Sequence, residues 1–205
     1  MRAALPGGLV TLVSQRGAAG PGGLVALVAA AARSGVDFIQ VREKDLADRA
    51  LCALVGEVLE AVRGTSARVL VNGRPDVASL AGAAGVQLPE QGLPVGEVRR
   101  HFPGLLLGVS CHSLEAARAA ADDGADFVLL GPVFPTPGKE GHTLGLGPVA
   151  AAARALRLPV HAIGGIDGSN ARTVLEAGAA GVAAIRAFLP AAGPELVRAL
   201  KGQGA

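Results

Sequence analysis

The stretch SGVDFIQVREK, residues 34–44, contains the pattern from which the fold is predicted: a glycine, an apolar run and a polar cluster follow one another in it. A glycine at a helix end that is followed at once by a short apolar run is typical of a helix-to-strand connection. Similar connections recur in AGVQL (84–88), DGADF (123–127) and AGAAGV (177–182). Their recurrence predicts that helices and strands alternate along the chain.

Eight short apolar runs are predicted to be strands, and longer segments rich in Ala, Leu, Glu and Arg separate them. Eight strand-helix units in 205 residues predict one α/β domain over residues 1–205, a single (β/α)8 or TIM barrel. A doubly wound sheet usually stops at five or six strands. The predicted strands are 9–14, 36–41, 68–71, 85–88, 105–109, 126–130, 160–163 and 181–185, and predicted helices include 21–34, 46–63, 113–123, 169–177 and 194–201.

Composition narrows the class of protein. Half of the residues are hydrophobic, with five Phe and no Tyr or Trp, which predicts an aliphatic core. The net charge of +2 is spread along the chain without a basic run, so nucleic acid is not an expected partner. Cys52 and Cys111 fit no metal-ligand spacing. No apolar run has bilayer length and no secretory signal is recognisable, so we expect a cytoplasmic protein without membrane contact.

Polar residues follow the predicted strands, and in a (β/α)8 barrel such residues form the active face. The chain has only three lysines, and Lys44 and Lys139 come just after strand-like runs, where an ammonium group is suited to an anionic ligand. The residues predicted to bind substrate are Gln40, Arg42, Lys44, Asn72, Ser110, Thr136 and Lys139.

Glycine-rich turns follow the last two predicted strands, in AIGGID (162–167) and GVAAIRAF (181–188). In barrels these two loops often bind phosphate through backbone N–H groups. A tight turn alone would also explain the paired glycines, but their place in the eight-unit pattern favours phosphate binding. The predicted phosphate-binding residues are Gly164, Gly165, Ile185 and Arg186.

His112, just past the fifth predicted strand, is the candidate acid/base residue. An imidazole can move protons near neutral pH because its unperturbed pKa is about 6.5. The alternative is that Ser113 caps the next helix and His112 only spaces the turn. His101 falls at a helix end, His142 in a long loop, and His161 inside a strand where it could be a buried, hydrogen-bonded residue.

Seven motifs in order resemble the thiamine phosphate synthase superfamily, from about residue 36 to residue 188. They read QVREK, VNGRPDVA, GVQLP, GVSCHSLEAA, GADFVLLGPVFPTPGK, PVHAIGGI and GVAAIRAF. The resemblance implies one of two activities. A synthase joins hydroxymethylpyrimidine diphosphate to a thiazole phosphate and needs Mg²⁺, whereas a thiazole tautomerase aromatises a carboxylated thiazole phosphate.

The resemblance places the two metal-binding aspartates of synthases at positions that here are Gly73 and Gly92. Mg²⁺ prefers hard oxygen ligands, which glycine side chains cannot supply. The motifs VNGRPD, GVQLP and SCHSLEAA are more similar to the tautomerase branch, in which the histidine corresponding to His112 is the proposed acid/base residue. Asp76 and Glu90 lie near the missing carboxylates.

Other positions keep the synthase alternative open. Thr136 and Lys139 persist, Gly138 replaces a second threonine of synthases, and Arg186 replaces a serine of the phosphate site, where it could strengthen or obstruct binding. The leading prediction is therefore a thiazole tautomerase, an isomerase that needs no cofactor and no metal, with Mg²⁺ required only under the synthase alternative. A barrel that binds thiazole or thiamine phosphates as a regulator is a second alternative. The expected partner is a small thiazole phosphate, Lys44 and Lys139 are interchangeable as partners of its carboxylate, and the resemblance implies a homodimer.

Overall fold

The computed structural model describes residues 7–20, 22–136, 143–189 and 192–203. Within these ranges eight parallel strands form a closed barrel in chain order, and β8 pairs with β1. The strands are β1 (Leu9–Val13), β2 (Phe38–Val41), β3 (Arg68–Asn72), β4 (Gly85–Leu88), β5 (Leu106–Cys111), β6 (Phe127–Leu130), β7 (Val160–Ile163) and β8 (Gly181–Ala184).

One helix follows each strand in the described residues, and two short 3-10 turns follow β1 and β8. None of the described helices is both long and apolar enough to cross a membrane. The helices are α1 (Gly23–Arg33), α2 (Asp48–Ala61), α3 (Pro75–Ala81), α4 (Val95–His101), α5 (Leu114–Asp122), α6 (Leu146–Ala155), α7 (Ala171–Glu176) and α8 (Pro194–Leu200), and the 3-10 turns are η1 (Arg16–Ala18) and η2 (Arg186–Phe188).

The (β/α)8 architecture confirms the fold that the sequence predicts. Strands β4 and β7 have the predicted bounds, whereas β2 begins two residues later than predicted, at Phe38. Asp37 is not part of that strand, and its carboxylate instead accepts a hydrogen bond from the backbone N–H of Val10 at 2.9 Å. Most strand residues are buried on both faces, as expected for a parallel barrel that is surrounded by helices.

Aromatic rings fill part of the barrel interior. The rings of Phe38 and Phe127 stack with centroids 5.9 Å apart, and the ring of His161 lies 5.0 Å from that of Phe127. His161 is fully buried, and burial lowers the pKa of its imidazole to about 4. Neither ring nitrogen has a hydrogen-bond partner among the described residues, so the expectation that a buried His161 would be hydrogen-bonded is wrong.

Two aspartates brace the amino-terminal end of the barrel. Asp126 accepts a hydrogen bond from the backbone N–H of Leu107 at 2.7 Å and pairs with Arg99 of α4 at 2.7 Å. Asp37 has the equivalent arrangement, with the N–H of Val10 and with Lys201, whose Nζ lies 3.1 Å from its carboxylate. Each carboxylate lies just before a strand and therefore links the start of that strand to the preceding strand and to a residue in or directly after a helix.

Candidate functional site

Four amide and hydroxyl side chains form two hydrogen-bonded pairs at the carboxyl ends of neighbouring strands. Gln40 of β2 donates to Asn72 of β3 at 3.1 Å, and Gln87 of β4 donates to Ser110 of β5 at 3.1 Å. Asn72 and Gln87 are register partners, so the two pairs are adjacent. Three of these residues were predicted to bind substrate; Gln87 was not, although its place at the end of β4 could have indicated it.

One cavity, of about 400 Å³, brings together all four residues predicted to bind phosphate. Gly164 and Gly165 both have positive φ, 104° and 63°, a conformation that favours glycine. A Cβ on Gly164 would also lie 2.5 Å from the Cα of Pro132, and one on Gly165 would lie 2.7 Å from the carbonyl oxygen of Pro135. These glycines let the loop after β6 pack directly on the turn after β7. The cavity is lined by Gln15, Pro135, Thr136, Ile163, Gly164, Gly165, Ile166, Asp167, Ala183, Ala184, Ile185, Arg186 and Ala187.

Side chains of the loop after β7 hold its turn in place. Asn170 donates from its amide to the carbonyl oxygen of Gly165 at 2.9 Å. Asp167 accepts hydrogen bonds from the hydroxyl and the backbone N–H of Ser169, and these bonds lower the pKa of the Asp167 carboxyl. These hydrogen bonds therefore hold the Gly164–Gly165 turn in position.

A second cavity, of about 240 Å³, lies beside the ends of β2 and β3 and includes Lys44 and Asn72. Arg74 also lines it, and its guanidinium pairs with Asp76 and with Asp48 of α2. The hydrogen bonds from Arg74 lower the pKa of the Asp76 carboxyl. Arg74 therefore joins the loop after β3 to α2 through Asp48, whereas Asp76 pairs with it at the start of α3.

Glu43 forms a buried link between the loops after β1 and β2 that the sequence did not predict. Its carboxylate accepts a hydrogen bond from the Ser14 hydroxyl at 2.5 Å and another from the backbone N–H of Arg16 at 3.0 Å. Ser14 in turn accepts from the backbone N–H of Arg42 at 2.8 Å, while the Arg42 side chain is exposed. The Glu43 carboxylate is therefore buried against Ser14 and Arg16 and does not form a surface ion pair with the neighbouring Arg42.

His112 contacts a carboxylate that comes from the neighbouring loop. One carboxylate oxygen of Glu90 lies 2.7 Å from both the backbone nitrogen and the ring Nδ1 of His112. The side chain of His112 is 54% exposed, so its ring is accessible at the mouth of the barrel. Ser113 caps α5 by accepting from the N–H of Ala116 at 3.0 Å, as the alternative interpretation proposed, but the cap does not occupy the imidazole of His112.

Cys111 is not a nucleophile candidate, although it precedes His112. It is almost completely buried. Burial, with a smaller contribution from the charge of Glu90, raises the pKa of its thiol to about 12. The thiol therefore stays protonated at neutral pH.

The residues present do not fit the Mg²⁺ site of a synthase. Gly73 and Gly92 occupy the two positions that the resemblance assigns to metal-binding carboxylates. A Cβ on Gly92 would lie 2.9 Å from the carbonyl oxygen of Pro89, so a longer side chain there requires the turn to shift. Within the part of the chain that the structure describes, no group of three or more His, Cys, Asp and Glu side chains is arranged to hold a metal ion.

The structure thus places most of the predicted binding residues in three groups around the barrel mouth, whereas the exposed Arg42 side chain belongs to none of them. The larger cavity holds Thr136 with the predicted phosphate-binding residues, the smaller one holds Lys44 with Asn72, and the amide pairs hold Gln40 and Ser110. Lys139 lies outside the described residues.

A closed barrel with polar side chains gathered at the carboxyl ends of its strands is the architecture of a (β/α)8-barrel enzyme. The family model described as thiamine monophosphate synthase matches residues 10–188. The chain belongs to this family and is an enzyme of thiamine biosynthesis, as the sequence motifs predicted.

Relatives support the same assignment over nearly the whole chain. A putative thiamine-phosphate synthase of Geobacter sulfurreducens is 43% identical over 193 residues, which cover 92% of this chain and 91% of that protein. A thiamine-phosphate synthase of Roseiflexus castenholzii is 43% identical over 191 residues, covering 92% and 84% of the two chains. The structure of a thiamine phosphate pyrophosphorylase from Pyrococcus furiosus is similar with a TM-score of 0.83 and 32% identity, covering 95% and 92%. These names favour the synthase alternative over the tautomerase.

Proposed function

We propose that this enzyme of thiamine biosynthesis is a thiazole tautomerase that aromatises a carboxylated thiazole phosphate. The observation that supports this proposal is the contact between His112 and Glu90, at a mouth where Gly73 and Gly92 replace the metal-binding carboxylates. Proton transfer needs a positioned acid/base group, a role for which the imidazole of His112 is suited, and it needs no Mg²⁺.

In the proposed reaction His112 takes the proton from ring carbon C2 and a proton is returned to the exocyclic alkene carbon. The reaction shifts double bonds without oxidation, reduction or loss of a group, so no co-reactant is required. Aromatisation makes it downhill. Among the described residues, His112 has the accessible imidazole at the barrel mouth, whereas His161 is sealed inside the barrel.

Substrate binding is assigned to the two cavities. Backbone N–H groups around Gly164, Gly165 and Ile185 would bind the phosphate, and Arg186 would add a positive charge beside it. Lys44 would meet the substrate carboxylate from the smaller cavity, and Lys139 is the alternative partner. Homodimerisation and a cytoplasmic location remain predictions.

Thiamine phosphate synthase is the second candidate, because the relatives' names support it better than they support the tautomerase. The residues at the expected metal positions do not fit Mg²⁺, which counts against this candidate. The persistence of Thr136 in the loop after β6 is compatible with either reaction.

The deciding experiment assays both reactions on one preparation of purified protein. Chelator-treated protein is offered the carboxylated thiazole phosphate, and Mg²⁺-loaded protein is offered hydroxymethylpyrimidine diphosphate with thiazole phosphate. We expect tautomerisation well above the uncatalysed rate and no condensation. Robust Mg²⁺-dependent condensation would overturn the proposal, and tight ligand binding by calorimetry without either reaction would favour a regulator.

A further inference from the structure

The short contact between Glu90 and His112 determines which ring nitrogen of His112 carries a proton. An ionised carboxylate accepts hydrogen bonds but cannot donate them. The 2.7 Å contact between a Glu90 oxygen and Nδ1 therefore requires the proton to be on Nδ1. In the neutral imidazole, Nε2 is then left with the free electron pair.

The same Glu90 oxygen is also bound to the backbone of His112. It accepts from the His112 N–H at 2.7 Å, so the carboxylate contacts the main chain and the side chain of one residue together. Two contacts to one residue restrict the rotation of the imidazole more than a contact with the ring alone would.

Both partners lie next to hydrogen-bonded elements of the fold. His112 lies between the end of β5 and Ser113, which caps α5. Glu90 lies two residues beyond β4, in a turn closed by a hydrogen bond from the N–H of Gly92 to the carbonyl oxygen of Pro89 at 2.9 Å. The geometry of the pair is therefore built into two neighbouring strand ends.

We propose that Glu90 is the positioning residue for His112, holding it in the Nδ1–H tautomer with Nε2 directed to take the substrate proton. This role rests on the proposed function, because it requires His112 to be the acid/base group of the tautomerase. A carboxylate that fixes the tautomer and orientation of a catalytic imidazole is a known requirement for efficient proton transfer in other enzymes. Glu90 acts through His112 and need not touch the substrate.

The test combines a tautomer measurement with kinetics. Protein carrying ¹⁵N-labelled histidine is compared with Glu90→Ala and Glu90→Gln by two-bond ¹H–¹⁵N spectra, with His112 signals assigned from a His112→Gln sample. We expect the Nδ1–H tautomer in the wild type, a shift towards Nε2–H in Glu90→Ala, and partial return in Glu90→Gln, whose side-chain oxygen still accepts. Glu97→Ala is the matched control, because the Glu97 carboxylate lies 3.9 Å from Nδ1 of His101 on α4.

In the kinetic arm, Glu90→Ala should lower kcat on the order of 10- to 100-fold with a small change in KM. In a protein that already carries His112→Gln, Glu90→Ala should not lower kcat further. An Nε2–H tautomer of His112 in the wild type, or an unchanged tautomer in Glu90→Ala, would overturn the proposal. Absence of tautomerase activity would instead overturn the proposed function and leave the spectroscopic test valid, so the two failures are distinguishable.

Discussion

The two ends of the barrel use carboxylates in similar positions for different purposes. At the amino-terminal end, Asp37 and Asp126 each accept a backbone N–H from the preceding strand and pair with Lys201 or Arg99. At the carboxyl-terminal end, Glu90 also accepts a backbone N–H, but its side-chain partner is the imidazole of His112.

The carboxylates at one end of the barrel thus contribute to stability, and the carboxylate at the other end contributes to the proposed reaction. A lysine or arginine keeps its charge near neutral pH, so the amino-terminal pairs brace strands against helices without exchanging protons. An imidazole can gain and lose a proton in that range. The comparison therefore predicts that substitutions at the amino-terminal end lower stability, whereas substitutions at the carboxyl-terminal end lower activity.

The largest expected effect is at the carboxyl-terminal end, in His112→Gln. We expect kcat for tautomerisation to fall roughly 10²- to 10⁴-fold, the usual contribution of a positioned acid/base group. The melting temperature should change little, because the His112 side chain is half exposed. His101→Gln, in an exposed residue of α4, is the control and should keep full activity. Unchanged activity in His112→Gln would show that His112 is not the acid/base group.

The second-largest expected effect is on the pH dependence of stability, and it comes from His161, which lies inside the barrel between its two ends. Its pKa is lowered to about 4 by burial, so below pH 6.5 the unfolded chain binds a proton that the folded chain does not. The free energy of unfolding therefore has its full value above pH 6.5 and falls by about 3 kcal/mol as the pH is lowered towards 4. Urea unfolding between these pH values should show this loss.

The variant His161→Leu isolates this contribution, because all other titrating groups are retained. Its unfolding free energy should fall less steeply over the same pH range. An equally steep fall would show that His161 is not responsible. If the variant does not fold, an NMR titration of His161 in the wild type tests the same point.

At the amino-terminal end, Asp126→Ala should lower the free energy of unfolding by about 2 kcal/mol, since the Leu107 N–H and Arg99 both lose a charged partner. Activity per folded molecule should not change. Chemical denaturation and kinetics on the same samples check both statements, with Asp122→Ala on the exposed end of α5 as the control. A large loss of kcat in Asp126→Ala would contradict the prediction that carboxylates at the amino-terminal end contribute only to stability.

The smallest effect is expected for Arg186→Ser in the larger cavity. Removing one exposed positive charge should weaken the binding of a thiazole phosphate roughly three- to fivefold, because water and salt screen the interaction. Calorimetry at low and high salt measures it, and the difference should shrink at high salt. Tighter binding by the variant would show that Arg186 obstructs the site.

The sequence predicted the barrel well because the fold depends on local patterns. Glycine followed by an apolar run marks the start of β2, β4, β6 and β8, and the apolar runs alone predict the bounds of β4 and β7 correctly. Strand-end positions also predicted which residues meet at the mouth, including Gln40 with Asn72 and the glycines after β7. In a parallel barrel, position at a strand end is enough to place a residue.

Contacts between side chains of different loops could not be predicted in this way. Glu43 and Glu90 look like ordinary exposed carboxylates in the sequence, and their partners lie 29 and 22 residues away. The sequence allowed for a buried, hydrogen-bonded His161; it is buried, but its ring lies against Phe38 and Phe127 without a hydrogen bond among the described residues. Such pairings depend on the register of neighbouring strands and on the conformation of turns, which periodicity does not determine.

The central claim is that this mouth catalyses proton transfer without the metal of the synthases. The most direct measurement is the initial rate of tautomerisation as free Mg²⁺ is varied from a chelated solution to millimolar concentration. We expect the same rate at every concentration, because Gly73 and Gly92 provide no carboxylate for the ion. A rate that rises from background with Mg²⁺ would contradict it.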